Sequence, residues 1–297
     1  MPELPEVESV RRQLEPALIG RRFERVRIDD PRLVRPYEPA EVAAELEGER
    51  VAAVERRGKY LVVRFESGRV LLIHLRMTGS LLHAPGGLLQ DDPHRRAVVT
   101  LEDGSDVAYR DVRRFGTWLM LERGEAGPYL GARVGAEPLD TLFTAARLGE
   151  RLAGRRTSLK AALLDQRTLA GLGNIYADEA LWRARLNPLR SAAGLDRSEL
   201  RRLHRGIRAA LEHGLARQGS TLRDYRLPDG TAGSMQDEFR VYGRRDEPCD
   251  RCGTPISRTR VAGRTTWHCP TCQPEEPAQA ARSSSRRPSR SRRQSSL

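Results

Sequence analysis

The first eight residues, MPELPEVE, put a proline directly behind Met1 and a glutamate behind that. A Met that precedes Pro is normally removed, because the residue it exposes is small. Pro2 then becomes a secondary amine at the chain start. Such an amine attacks an aldehyde and yields a charged iminium directly, which is an effective electron sink. The α-amino group has a reference pKa of about 8, so a modest fall leaves useful free base at neutral pH. Glu3 is then placed to move protons beside the nucleophile. The start of a helix accounts for Pro5 at an early position and for Glu6 and Glu8 at the positive end of the dipole. It does not account for Pro2 and Glu3, which lie ahead of that helix.

A second chemical signal is the choice of cation. Of 52 Lys plus Arg, only Lys59 and Lys160 are lysine. Arg serves almost wherever either would do. A lysine that remains is therefore a candidate for what Arg cannot give, a compact ammonium whose pKa can shift and which can move protons.

All four cysteines lie near the end, as Cys249-Asp-Arg-Cys252 and Cys269-Pro-Thr-Cys272, with sixteen residues between the pairs. Two such knuckles place four thiolates around one tetrahedral zinc ion, and a site filled by four protein ligands is structural rather than catalytic. Disulfides are the alternative, and without a secretory signal they are disfavoured. The intervening TPISRTRVAGRTTWH reads as a hairpin carrying Arg258, Arg260 and Arg264. An arginine-tipped zinc ribbon suits nucleic acid, with a protein-binding finger as its rival.

The elements that must hold these groups fall into two regimes. Up to about residue 135 the text is mostly β, with one helix, LPEVESVRRQLEPAL, ahead of the strands and an apolar stripe of Val7, Val10 and Leu14. YLVVRF and RVLLIHL flank a short turn, and Asp103-Gly104 sits between two alternating runs, a strong hairpin signal. From about 140 the period becomes 3.6, in LFTAARLGERL, SLKAALLDQ, NIYADEALWRARL and DRSELRRLHRGIRAALEHGLARQG. In the last, Asp196 is the expected N-cap, and Leu200, Leu203, Ile207, Leu211 and Leu215 form the expected buried face. The domains expected are 1–135, 136–236, a cysteine module over 237–272 and a disordered basic tail over 273–297.

The chain's 297 residues suffice for two domain cores, and its net charge of +12 favours a polyanionic partner, nucleic acid first. The tail from Arg282 holds six Arg and no acid, so the body is only moderately basic. No apolar run has the length of a membrane span, and no signal peptide is evident, so a cytoplasmic protein is expected. Ala170-Gly171-Leu172-Gly173-Asn174 joins two helices and could turn backbone amides toward a phosphate, although most such links are only turns. Arg155-Arg156 and Lys160 precede it. Arg113-Arg114-Phe115-Gly116 suits phosphate contact plus a wedge between bases, with a core Phe and solvated arginines as the alternative. Met77 reads as core by default. His94 sits in a polar loop, where a DNA contact and a plain surface position are equally compatible.

Together, MPELPEVE, RRGKYL (56–61), HLRMTGS (74–80), RRFG (113–116), LAGLGNIYADEALW (169–182) and the two cysteine pairs resemble the formamidopyrimidine-DNA glycosylase family. The likeness runs from Met1 to about Cys272, and the motifs stand in the family's order. It implies an α+β multi-domain fold: an N-terminal β-sandwich with a leading helix, a helix–two-turn–helix domain and a C-terminal zinc-finger β-hairpin. It implies a monomer that binds damaged double-stranded DNA in the cleft, with one structural Zn²⁺ on Cys249, Cys252, Cys269 and Cys272. It further implies removal of oxidised purines and strand cleavage by β- and δ-elimination. By residue match, Pro2 would be the Schiff-base nucleophile and Glu3 the acid of base removal. Lys59 would handle protons in β-elimination, and Arg264 would serve δ-elimination. His94, Arg113 and Arg156 would contact DNA, and Lys160 and Asn174 would grip phosphates. Met77, Arg113 and Phe115 would fill the gap left by the flipped base. Arg156 stands where relatives carry a lysine, so its charge is kept and its contact altered. A lesion-covering loop is expected at about 219–236, where glycines suggest mobility.

Overall fold

The computed structural model describes residues 1–87 and 90–275. The basic tail therefore lies largely outside the described residues.

Helix α1 (Leu4–Leu18) leads into two four-stranded antiparallel sheets. The first has the order β1 (Phe23–Ile28), β6 (Arg95–Leu101), β7 (Ser105–Asp111), β5 (Gly79–Pro85). The second has β2 (Val51–Arg57), β3 (Tyr60–Phe65), β4 (Val70–His74) and β8 (Thr117–Leu121). Both expected hairpins form. Val63 faces Val54 on one side and Leu71 on the other, and Val99 faces Val107. The inward residues of both sheets share one core with Val7, Val10 and Leu14 of α1. A short helix α2 (Pro39–Leu46) covers β1.

The helical half comprises α4 (Ala145–Leu152), α5 (Leu159–Leu164), α6 (Asn174–Ala184) and α7 (Arg197–Ala216), reached through the short α3 (Ala126–Gly131). Asp196 caps α7 as expected: its Oδ1 accepts the Glu199 N–H at 2.8 Å, and Glu199 returns the bond to the Asp196 N–H at 2.9 Å. The buried face of α7 differs from the apolar stripe. Leu203, Ile207 and Leu211 are fully buried, but Leu200 and Leu215 are only half-buried. Gly206, Ala210 and Gly214 complete the face, because α6 packs too close for larger residues. A Cβ on Gly214 would stand 2.4 Å from the Tyr176 ring.

Leu4 belongs to the core of this helical half while the rest of α1 belongs to the sandwich, so α1 ties the two together. The segment after α7 returns the favour. Tyr225 and Leu227 are buried in the sandwich core, and the Tyr225 hydroxyl donates to the Glu6 carbonyl at 3.0 Å. The segment expected to be loose, 219–236, is exposed at Leu222 but held elsewhere. Two large apolar side chains anchor the remainder. Strands β9 (Ser257–Val261) and β10 (Arg264–His268) form the hairpin between the cysteine pairs.

Candidate active site and metal centre

Glu3 turns away from its own helix. Its carboxylate sits on the first turn of α6, where Oε2 accepts the N–H groups of Gly173 at 2.8 Å and Tyr176 at 3.3 Å, and Oε1 accepts that of Ile175 at 2.9 Å. The Gly-rich link thus does aim amides at an anion, and the anion held is a side chain of the same protein. Gly173 has no alternative here, since a Cβ would lie 2.3 Å from the Glu3 carboxyl carbon. Burial pushes the Glu3 carboxyl above its ordinary range, opposed by the Lys59 charge and by the Ile175 amide.

Glu6 gathers a second set of donors. Its Oε2 accepts the Glu3 N–H at 2.8 Å, and its Oε1 accepts the Tyr176 hydroxyl at 2.8 Å and the Ser220 N–H at 2.7 Å. It thereby joins the chain start, α6 and the segment after α7. Helix-start reasoning gives Glu6 a purely local role, and only the i, i+3 spacing from Glu3 hints at more.

Lys59 lies in the turn between β2 and β3 and is 4% exposed. Burial lowers its pKa, opposed by the Glu3 and Glu6 charges. Its turn is clamped from outside by Glu137, which accepts from Arg56 at 2.9 Å, Arg57 at 2.8 Å and the Gly58 N–H at 2.6 Å. Met1 still precedes Pro2 in the structure, and burial lowers the pKa of the Met1 α-amine. The Glu3 carboxyl is thus shifted upward and the two amines downward, toward one another, which favours proton transfer among them.

A cavity of about 310 Å³ opens beside this cluster, lined by Pro2, Glu6, Met77, Arg113, Ile175 and Tyr225 among others. Phe115 is 52% exposed, and the guanidinium of Arg113, which lines the cavity, lies 4.8 Å from the Phe115 ring centroid. The core-Phe alternative is excluded. Met77 is half-buried. His94 is on the same side of the sandwich, with its carbonyl accepting the Asp111 N–H at 2.9 Å.

Lys160 stands apart from the expectation of a free phosphate grip. Its ammonium is fully buried: it is ion-paired with Asp178 Oδ1 at 2.7 Å and donates to Thr266 Oγ1 at 2.7 Å and to the Thr265 carbonyl at 3.1 Å. Asn174 Nδ2 donates to the same carbonyl at 3.0 Å. Both side chains therefore brace the strand that begins at Arg264. Arg264 is exposed, and its charge acts on Lys59 and on the α-amine, so it faces the cluster from the finger side. Arg156 is exposed on the loop before α5.

The Sγ atoms of Cys249, Cys252, Cys269 and Cys272 all lie within 4.8 Å of one another. Separations such as 3.5 Å for Cys252–Cys269 and 4.0 Å for Cys249–Cys272 bracket the roughly 3.8 Å edge of a tetrahedron with zinc–sulfur bonds of about 2.3 Å. No disulfide links them. The Trp182 indole N–H donates to Cys249 Sγ at 3.4 Å, tying the cluster to α6. Replacing Cys249 with Ser is expected to abolish zinc retention and to weaken DNA binding at least about tenfold, because metal binding supplies much of such a module's folding energy. Elemental analysis and titration of duplex DNA check both.

Comparison with known proteins agrees with this geometry. The formamidopyrimidine-DNA glycosylase N-terminal domain matches residues 1–118, the H2TH domain of the same enzymes matches 134–226, and a zinc finger found in FPG and IleRS matches 246–274. A formamidopyrimidine-DNA glycosylase of Symbiobacterium thermophilum is 49% identical over 275 residues, covering 92% of this chain and 90% of that protein. One from Roseiflexus is 46% identical over 274 residues, covering 92% of this chain and all of that protein. The crystal structure of MutM (Fpg) from Thermus thermophilus superposes with a TM-score of 0.82 at 45% identity, over 93% of this chain and 100% of that one. Lactococcus lactis Fpg in complex with abasic-site DNA superposes with a TM-score of 0.85 at 36% identity, over 92% of this chain and 100% of that one. With the four cysteines as the seat of one structural zinc, the chain belongs to the formamidopyrimidine-DNA glycosylase family and is a base-excision-repair DNA glycosylase and AP lyase.

Proposed function

We propose that the enzyme removes oxidised purines, 8-oxoguanine and formamidopyrimidines, from duplex DNA and then opens the abasic strand by β- and δ-elimination. The observation that carries this reading is the Glu3 carboxylate, held on the α6 amides and in electrostatic contact with a buried Lys59 and the chain-start amine. Pro2 attacks C1′, and Glu3 supplies the proton that base removal requires. Lys59 handles the proton of β-elimination, and Arg264 serves the δ step. Met77, Arg113 and Phe115 occupy the duplex where the base has left, with His94, Arg156 and Asn174 along the backbone. Lys160 acts in this scheme through the strand it braces. The domain limits 1–135, 136–236 and 237–272, a monomeric state and a cytoplasmic site of action on DNA belong to the same reading. Among relatives, Lactococcus lactis Fpg has been solved with Fapy-dG DNA and also with DNA containing an oxidised pyrimidine. Borohydride trapping on duplexes bearing 8-oxoguanine or an oxidised pyrimidine tests the reading. Stronger trapping on the pyrimidine would reassign the substrate class.

Arg113 should make excision depend on the base opposite the lesion. Cytosine left unpaired presents O2 and N3, two adjacent acceptors that suit a guanidinium fork, whereas adenine sets an N6 donor beside its N1 acceptor. Such a bidentate contact discriminates by about 1–3 kcal/mol, or roughly 5- to 150-fold. Single-turnover excision opposite C and opposite A is expected to show that preference in the wild type. In Arg113→Ala the ratio should fall toward one. A mutant that is slower but equally selective would reduce Arg113 to a general wedge.

A further inference from the structure

We propose that Asp111 is the positioning residue that sets Met77, Arg113 and Phe115 as one unit, so that opposite-base selectivity depends on a carboxylate that never touches DNA. The proposal rests on the reading of those three side chains as the ones inserted into the duplex. Asp111 ends β7 and is 1% exposed. Its Oδ1 accepts the Thr78 hydroxyl, next in sequence to Met77, and also the Arg113 N–H at 3.2 Å. Its Oδ2 accepts the Gly116 N–H at 2.8 Å, next in sequence to Phe115. The Thr78 hydroxyl in turn accepts the Arg113 N–H at 3.0 Å. One carboxylate therefore joins two loops that lie 33 residues apart at Thr78 and Asp111.

The rest of the local structure reads as support for the same function. Tyr109, two residues earlier, is the floor on which both loops lie. A Cβ on Gly79 would stand 2.3 Å from its hydroxyl oxygen, and one on Gly116 only 1.7 Å. Arg114 adopts a left-handed φ of 59° and turns inward to the buried Asp30, bonding it through Nη2 at 2.8 Å and Nε at 2.5 Å. That inward turn leaves Arg113 and Phe115 directed outward on either side of it. The loops are thus pinned by a floor below, an arginine clamp at the side and a carboxylate between them.

Asp111→Asn keeps the shape but replaces one acceptor by an NH₂ group. Whichever way the amide faces, a donor then meets the Gly116 N–H or the Thr78 and Arg113 donors. Thr78→Val removes the link to the Met77 loop while leaving the carboxylate in place. Both are compared with wild type and Arg113→Ala in single-turnover excision of 8-oxoguanine opposite C and opposite A. Cleavage of a single-stranded abasic oligonucleotide, which has no opposite strand to read, is measured in parallel. The C-over-A ratio is expected to fall about tenfold toward one in Asp111→Asn and to decrease in Thr78→Val, the scale being that of one bidentate contact. Single-strand cleavage by Asp111→Asn should stay within about twofold of wild type, a pattern that general misfolding would not give. The proposal is overturned if both variants keep the wild-type ratio while Arg113→Ala loses it. It is also overturned if single-strand cleavage falls in step with duplex excision. A wild-type ratio in Arg113→Ala itself would instead reject the underlying reading of the inserted side chains.

Discussion

Protein that retains an uncleaved N-terminal extension is expected to form no borohydride-trapped complex on 8-oxoguanine duplexes and to leave the strand uncut. The reason is how few amines there are. The side-chain amines of this chain are Lys59 and Lys160 alone, and the third candidate is the α-amine. Lys160 is fully buried, ion-paired with Asp178 and donating to two finger oxygens, so its amine is not presented to a sugar. Pro2 lines the cavity with Glu6 and Arg113, so removal of Met1 places a free secondary amine in it. An extension converts the Pro2 nitrogen to a tertiary amide, which cannot attack C1′. Lys59→Met supplies the matching control: trapping should persist, because the α-amine is untouched, while β-elimination slows. Full trapping by the extended protein, lost only on further replacement of Lys59, would move the nucleophile to Lys59.

Glu3→Gln is the second large effect. Base removal from 8-oxoguanine duplexes should drop by about 10²- to 10⁴-fold, the usual worth of a positioned acid or base. Cleavage of a preformed abasic site should suffer far less, because no base remains to be expelled. The loss has two sources. The amide cannot pass a proton, and its NH₂ group would face one of the Gly173, Ile175 or Tyr176 N–H groups that the carboxylate now accepts. The sign of the pH dependence follows from the raised Glu3 pKa. The protonated share of Glu3 grows as pH falls and is lost as pH rises through its folded value, so wild-type excision should decline on the alkaline side. The lowered Lys59 pKa has the opposite consequence: free amine accumulates at lower pH than usual, which favours the elimination step. Single-turnover excision against pH, for wild type and Glu3→Gln, should show the alkaline limb in the first and not in the second. An unchanged limb in the mutant would assign that titration elsewhere.

Much of the molecule is legible from the sequence because its causes are local. The hairpin at Asp103-Gly104, the N-cap at Asp196 and the two cysteine knuckles each act over a few residues, where backbone geometry leaves few alternatives. The same holds for the suspicion attached to Pro2 and Glu3, which followed from their standing ahead of the helix, although Glu3 also proves to be the N-cap of α1, its N–H taken by Glu6. Family resemblance carried the remaining site residues by position, without saying what each side chain touches. That was decided by topology. Glu3 meets Gly173 and Ile175 across 170 and 172 residues of chain, and no periodicity or turn rule spans such a distance. Lys160 was marked as a residue needing ammonium chemistry, and its sequence surroundings suggested phosphate. The fold instead packs α5 and α6 beneath the finger hairpin, so the charge is buried and must be paired with Asp178. The 219–236 segment looked loose by composition, yet Tyr225 and Leu227 find a core already built by strands more than a hundred residues earlier. Asp111 carried no sequence signal at all. A buried carboxylate acquires its meaning from the donors that surround it, and those donors come from two loops that only the sandwich brings together.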